Sequence, residues 1–170
     1  MKRLFVLLCV VLLSAPAFAQ SPQSGSGQVT QFVTVAYTNA TTTFSSVPNL
    51  YYPVAAGSNY IAECDIVWQG SATTTGAKYQ WTGPGSPGAV AAGATFGITA
   101  TSGGTAGAVA FSSAMANTGT ITITTNFHDT VTLNLMNGAN AGTVQLQAAA
   151  NGAGTLTIQP GSSCTFTAVR

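Results

Sequence analysis

Every second residue from position 60 to position 68 is apolar, and this alternation constrains the fold more than any other feature. The residues of one parity are Tyr60, Ala62, Cys64, Ile66 and Trp68. Ile61, Glu63, Asp65 and Val67 fall on the other parity. Because successive side chains of a β-strand point to opposite faces, the pattern predicts a strand with the first set in a core and both carboxylates facing away from it. The surrounding stretch, residues 49–84, is rich in aromatic residues, and we interpret it as a β-hairpin or β-corner at the centre of an all-β domain.

A second strand is predicted after the turn-forming residues 70–76. Ala77, Tyr79 and Trp81 share an inward parity, with Lys78 on the opposite face. If the two strands form a hairpin, Lys78 lies near Glu63 or Asp65. A surface ion pair of that kind adds about 0 to 1 kcal/mol of stability.

Further short strands are predicted on both sides of this stretch. Val29, Val33, Val35 and Tyr37 share one parity and predict a first strand over residues 28–37. The later alternating positions are Ile121, Ile123, Thr125 and Phe127; Val131, Leu133 and Leu135; Val144, Leu146 and Ala148; Leu156 and Ile158; and Cys164, Phe166 and Ala168. Asn-Gly pairs at 137–138 and 151–152 are typical of tight turns between such strands. The pattern predicts one antiparallel β-sandwich of jelly-roll type over residues 28–170, with strand bounds between Ala89 and Asn117 left open.

Charge is scarce in this chain. Only 4% of residues are charged, against roughly 25% in soluble domains. Without the first 19 residues, Lys78 and Arg170 stand against Glu63, Asp65 and Asp129, a net charge of −1. Nucleic-acid binding through phosphate neutralisation is therefore not expected.

The first 19 residues have the features of a secretory signal peptide. Lys2 and Arg3 precede an apolar run, and small residues at 17 and 19 suit cleavage near Ala19. The run is shorter than the roughly 20 residues of a membrane span, so we expect no membrane insertion. Residues 20–27 form a polar linker, and the mature protein is expected to be secreted, either extracellular or periplasmic. A glycosylation sequon begins at Asn39 but carries little weight behind a leader of bacterial type.

Two cysteines remain after cleavage, Cys64 and Cys164, both at inward positions. An exported chain with an even cysteine count favours a disulfide between them, closing a loop of about 100 residues. The alternative is two separate buried thiols. The disulfide would require the strand at residues 59–68 to lie beside the last strand.

No catalytic, metal or cofactor site can be assembled from the sequence, and we predict that the protein is not an enzyme. His128 is the only histidine and is expected at a turn or on the surface. A calcium site from Glu63, Asp65 and Asp129 would be short of oxygen ligands. The aromatic residues of 49–84 could form a sugar-binding platform, although Trp68, Tyr79 and Trp81 have core parity. The residues left as a possible contact surface are Tyr51, Tyr52, Glu63, Asp65 and Lys78.

Several strand and turn segments resemble minor structural and tail-associated proteins of tailed bacteriophages. The similar segments are residues 54–60, 73–79, 83–84, 142–150 and 158–162, within a match over about residues 50–170. By analogy, the strand that ends near Trp68 is similar to the central strand of the trimeric jelly rolls of the complement C1q and tumour necrosis factor type. In those folds the last strand is its neighbour, which agrees with a Cys64–Cys164 bridge. An export signal and a disulfide are unusual in virion proteins, so the resemblance implies the module more directly than a virion.

These observations predict an exported, non-enzymatic structural or surface-interaction protein that self-associates as a homo-oligomer, with a trimer favoured. A carbohydrate-binding module that uses exposed aromatic residues is the first alternative, with a glycan or cell-surface ligand. A fibre-forming subunit is the second, because uncharged, Thr-rich strands leave sheet edges weakly protected.

Overall fold

The computed structural model describes residues 27–97, 105–108, 110–116 and 125–169, and every regular element within these ranges is a β-strand. The strands are β1 (Gln28–Phe32), β2 (Tyr37–Asn39), β3 (Ser45–Val54), β4 (Asn59–Gly70), β5 (Gly76–Thr82), β6 (Ala89–Gly97), β7 (Thr105–Ala108), β8 (Met115–Ala116), β9 (Phe127–Met136), β10 (Gly142–Asn151), β11 (Leu156–Ile158) and β12 (Ser163–Val169). The predicted signal peptide, all of the linker but Gly27, and the predicted strand positions Ile121 and Ile123 lie outside the described residues.

Two antiparallel sheets pack face to face. The larger sheet has the order β1-β12-β4-β9-β6-β7, with β11 bridging β4 and β2, and the smaller sheet has the order β3-β10-β5-β8. Four of the strand pairs are nested along the chain: β1 with β12, β3 with β10, β4 with β9, and β5 with β8. The pairs of β4 with β12 and of β5 with β10 join these four into the two sheets. This nesting arises when a long antiparallel hairpin is rolled into two sheets, which is a jelly roll. The predicted all-β jelly-roll sandwich is confirmed.

Strand β4 lies at the centre of the larger sheet. It pairs with β9 over its first ten residues, with β12 on its other side, and with β11 near its end. The predicted inward residues Tyr60, Ala62, Cys64, Ile66 and Trp68 are all buried, and the predicted inward residues of β5, namely Ala77, Tyr79 and Trp81, face them from the smaller sheet. The last strand pairs with β4, as the jelly-roll analogy implies.

The hairpin interpretation of β4 and β5 is wrong, and the corner interpretation holds. The two strands belong to different sheets, because the turn between them carries the chain over the end of the sandwich. Ser71 N–H donates to Thr155 O at 3.0 Å, and the Thr75 hydroxyl donates to Ala153 O, so the turn is tied to the β10–β11 connection. Lys78 therefore lies on the opposite outer face of the sandwich from Glu63 and Asp65, and the expected proximity does not occur.

The predicted first strand, residues 28–37, is divided. Strand β1 pairs with β12 and ends at Phe32, whereas Tyr37 begins β2, which pairs with β11. The chain follows the turn between β11 and β12, where Val33 exchanges backbone hydrogen bonds with Gly161 and Ser162. Val33 is buried, but Val35 is 76% exposed in the break, so the expected common face is lost there.

Cys64 and Cys164 are joined by a disulfide, with Cα atoms 3.9 Å apart. The two residues are directly opposite each other on β4 and β12. At the two ends of the β1–β12 ladder, Val33 N–H donates to Ser162 O and Ala168 N–H donates to Gly27 O. Hydrogen-bonded pairs alternate along the ladder, so Gln31 and Cys164 form one of them, and the backbone groups of Cys164 point towards β1. The pair with Cys64 is therefore the non-hydrogen-bonded kind, in which cross-strand Cα atoms come closest. The disulfide fixes the register of the last strand against the central one.

Replacing both cysteines by alanine is expected to lower the free energy of unfolding by about 4 to 5 kcal/mol, because the loop of 100 residues is no longer closed in the unfolded chain. Urea unfolding with and without a reducing agent measures this. The double variant should be insensitive to the reducing agent, whereas the parent protein should lose stability in it. An unchanged unfolding midpoint in the double variant would contradict the expectation.

Candidate functional site

The structure distributes the five predicted contact residues over three places. Glu63 and Asp65 lie on the outer face of the larger sheet, and both are exposed. Tyr51 and Lys78 lie on the outer face of the smaller sheet. Tyr52 lies between the sheets. The five residues therefore do not form one site.

Tyr52 differs from the other predicted contact residues because its ring packs against the core. Its ring stacks on Phe166 with centroids 5.2 Å apart, and it packs against the core, half-buried. The cause is a β-bulge in β3, where Asn49 has a φ of 66° and the pairing with β10 shifts register. The Gln145 amide donates to Val47 O and Leu50 O, two carbonyls beside the bulge. Between the pairs Gln147–Ser46 and Gln145–Tyr51, β3 has three residues more than β10. An odd number of extra residues inverts the parity that follows, so Leu50, Tyr52 and Val54 face inward and Tyr51 faces outward.

Short hydroxyl side chains surround the two carboxylates on the larger sheet. We call this surface the hydroxyl face; its residues are Glu63, Asp65, Thr130, Thr132, Ser163 and Thr165. The strand register places Thr165 and Thr132 on either side of Glu63, and Ser163 and Thr130 on either side of Asp65. The hydroxyl face is a broad part of a sheet surface that offers hydroxyl and carboxylate oxygens to a partner.

His128 lies beside the hydroxyl face, with Nδ1 3.4 Å from Asp65 Oδ1. Both side chains are about two-thirds exposed, at 65% and 67%. A pair in this much water is weakly coupled, and it adds little to stability. The histidine is a surface residue, as expected, although it lies in a strand rather than at a turn.

The outer face of the smaller sheet is built from amide side chains. We call it the amide face; its residues are Ser46, Tyr51, Lys78, Gln80, Thr82, Gln145 and Gln147. Gln80 Nε2 donates to Gln147 Oε1 at 2.6 Å, and Lys78 Nζ lies 4.9 Å from the centroid of the Phe44 ring. Tyr51 is 45% exposed and pairs with Gln145, which pairs in turn with Thr82. Tyr51 is therefore an accessible ring with polar neighbours.

Asp129 is a fully buried carboxylate between the sheets. Tyr79 Oη, from the smaller sheet, donates to Asp129 Oδ2 at 2.8 Å, and Gly97 N–H donates to Oδ1 at 3.0 Å. A side chain at position 97 would be excluded, because its Cβ would lie 2.0 Å from His128 O. The carboxylate thus holds the end of β6 and the centre of β5 against β9.

Burial raises the pKa of Asp129 to about 6, because removal from water disfavours the charged form. The hydrogen bonds from Tyr79 and Gly97 limit this rise in pKa, and His128 lowers it slightly. The Trp68 indole N–H also lowers the pKa from nearby, although it has no partner within hydrogen-bond geometry. Burial and the adjacent carboxylate raise the pKa of Tyr79 well above its usual value.

Sequence reasoning considered Asp129 only as a calcium ligand with Glu63 and Asp65. Its side chain points into the core while theirs point to the outer face, so the three carboxylates do not meet. Across the described ranges, no group of three or more His, Cys, Asp and Glu side chains is placed to hold a metal ion. The parity shared with Phe127 and Val131 was the signal that could have located this buried acid.

Asn39, the first residue of the sequon, is also buried. Its Nδ2 donates to Thr43 O at 2.9 Å and Ala148 O at 3.0 Å, while Oδ1 accepts from Thr41 N–H at 2.8 Å. The side chain is used in holding the β2–β3 turn against β10, so the folded protein does not present it for glycosylation.

No protein-family model matches the chain, and no curated protein matches it. Among the described residues there is no helix of the length and apolar character needed to cross a membrane. The site must therefore be interpreted from its own geometry.

Asp129 is expected to make the protein more stable in mild acid. The pKa is about 6 in the folded protein and near 3.8 in the unfolded chain, so the folded state binds the proton more tightly. The resulting contribution is complete below about pH 3.8 and is lost as pH rises through about 6, a change of about 3 kcal/mol. Urea unfolding between pH 4 and pH 7.5 measures it.

The Asp129→Asn variant should show a flatter dependence of unfolding free energy on pH than the parent protein. The Asp65→Asn variant, which changes an exposed carboxylate, is the matched control and should keep the slope of the parent. Equal slopes in the parent protein and in Asp129→Asn would contradict the assignment to Asp129.

Proposed function

We propose that this is an exported, non-enzymatic structural or surface-interaction protein that self-associates, with a trimer as the expected assembly. The observation that carries the proposal is the hydroxyl face. It is an open sheet surface of small polar side chains, suited to a broad contact with another macromolecule. Catalysis needs a nucleophile, a base and an orienting group brought together, whereas Asp129 is inside the core and His128 is exposed beside one carboxylate.

Two further observations support the proposal. The buried Cys64–Cys164 disulfide suits an oxidising compartment outside the cytoplasm. The nested strand order is that of jelly rolls, the fold of the trimeric proteins to which the central strand is similar, and the turn and strand segments resemble minor structural proteins of tailed phages. These resemblances support an assembly role, and a fold by itself does not define a function.

The assembly is tested by light scattering on the protein without residues 1–19, over micromolar concentrations. We expect a mass of three chains or a multiple of three. A strict monomer over that whole range would overturn self-association, and a mass of two chains would overturn the trimer alone.

Carbohydrate binding is the second candidate, and Tyr51 is the observation that favours it. Its exposed ring lies beside Gln145 on the amide face, with Thr82 on the far side of Gln145. An aromatic ring near amide and hydroxyl groups can stack on a sugar while those groups hydrogen-bond its hydroxyls.

If the amide face binds glycans, Tyr51→Ala should reduce binding at least tenfold on a glycan array while leaving the thermal midpoint unchanged. Gln147→Ala changes the same face away from Tyr51 and serves as the control. Tyr52→Ala should instead lower the thermal midpoint, since its ring stacks on Phe166. The absence of binding to any glycan by the parent protein would count against this function.

A further inference from the structure

The outer edge of β1 differs from every other edge among the described strands. Its backbone is unpaired there, its side chains carry no charge, and three large apolar side chains beside it are exposed. Val29 is 38% exposed, Phe32 is 52% exposed, and Val35, just after the strand, is 76% exposed. Such an edge is a template for pairing with another strand.

The hydrogen bonds with β12 show which backbone groups are directed outward. Val33 N–H donates to Ser162 O at 2.8 Å, and Ala168 N–H donates to Gly27 O at 3.4 Å. With the register of Gln28 opposite Thr167, the odd-numbered residues of β1 exchange hydrogen bonds with β12. The N–H and C=O groups of Gln28, Thr30 and Phe32 therefore point away from β12, towards the open edge.

The other edges are protected in ways that β1 lacks. Strand β3 has Pro48 and Pro53 and the bulge at Asn49, all of which interrupt an added strand. Strands β7, β2 and β8 have four, three and two residues, so each offers fewer backbone groups than β1. Strand β1 has five residues and contains neither proline, bulge nor charge.

From these features we infer that the β1 edges of two copies of this chain pair antiparallel about a two-fold axis at Thr30. In this register Thr30 faces Thr30 of the second copy, and Gln28 faces Phe32. These are the three positions with outward backbone groups, so they form three hydrogen-bonded pairs with about six backbone hydrogen bonds. A two-fold contact uses the same surface on both copies, and the edge satisfies this because its free groups are symmetric about residue 30.

A second copy fits this edge better than a charged partner. Residues 28–32, Gln-Val-Thr-Gln-Phe, carry no charge, so two copies approach without repulsion. Pairing also covers Phe32, whose ring lies over Gln28 of the facing strand, and reduces the exposure of Val29.

This contact goes beyond the proposed function. It joins two copies of the chain, so it does not by itself make a trimer. It can join two trimers into an assembly of six chains.

Charge substitutions at position 30 test the contact. Thr30→Lys and Thr30→Glu each place like charges directly opposite one another at the axis, which destabilises a strand pair. We expect each variant alone to have half the mass of the parent protein by light scattering, and an equal mixture of the two to regain the full mass. All proteins should keep the same thermal midpoint at low concentration, where the copies are apart. A parent mass equal to that of both separate variants at every concentration would overturn the inference.

Cysteine substitutions test the register. Under mild oxidation, Thr30→Cys should cross-link to itself, since facing Cα atoms lie about 5.5 Å apart in such a pair. Gln28→Cys should not cross-link to itself, because the two copies of residue 28 would be about 14 Å apart, but it should cross-link to Phe32→Cys. Thr95→Cys, exposed on β6, is the control. Equal cross-linking of Thr30→Cys and Thr95→Cys would contradict the inference.

The two proposals fail separately. A parent mass of three chains, unchanged by Thr30→Lys, retains the trimer and overturns the β1 contact. A parent mass of two chains that Thr30→Lys halves retains the β1 contact and overturns the trimer.

Discussion

The fold depends on burying the inward side chains of β4 against the smaller sheet. The strand has neighbours on both sides, so its backbone is satisfied within the sheet, and its alternation decides which face must be covered. Trp68, Cys64 and Tyr60 then require apolar partners from β3, β5 and β10. A shift of β4 by one residue would bring Glu63 and Asp65 into the core, where unpaired carboxylates are strongly unfavourable. The alternation therefore specifies both the register of the larger sheet and the presence of a second sheet.

Polar bonds between the sheets add specificity to this packing. Trp81 Nε1 donates to Thr132 O at 3.1 Å, and Tyr79 donates to Asp129, so two residues of β5 are fixed against β9 at two points. A core of Val and Leu side chains alone would let the two sheets slide past each other. The hydrogen bonds of Tyr79 and Trp81 are directional, so they fix one relative position of β5 and β9. The buried carboxylate opposes folding when it is charged, and it is retained at a position where it also holds the backbone of Gly97.

The sequence predicts well which side chains of a strand point into the core, and it predicts poorly which of the two sheets a strand joins. Parity located the buried residues of β4, β5, β9, β10 and β12, because a strand with one covered face must alternate. It did not place Tyr52, since the bulge around Asn49 adds three residues that no alternation reveals, and it failed at Val35, where the chain leaves β12 and continues on β11. The turn after Gly70 gives the same local signal whether the next strand joins the same sheet or crosses to the other. Of the contact residues, Glu63 and Asp65 share the outer face of the larger sheet, and Tyr51 and Lys78 share that of the smaller sheet. The crossing between β4 and β5 separates these two pairs, and the bulge turns Tyr52 inward.

The small number of charged residues changes how this chain must protect its edges. Many β proteins place lysine on an exposed edge strand, but the one lysine among the described residues, Lys78, lies on β5 inside the smaller sheet. Proline, a bulge and very short strands remain as means of protection, and they are found on β3, β7 and β8. Strand β1 pairs with β12 in regular register from Gln28 to Phe32, without a bulge. A proline at an odd-numbered position of β1 would remove a hydrogen bond to β12, and one at an even-numbered position would remove only an outward N–H group.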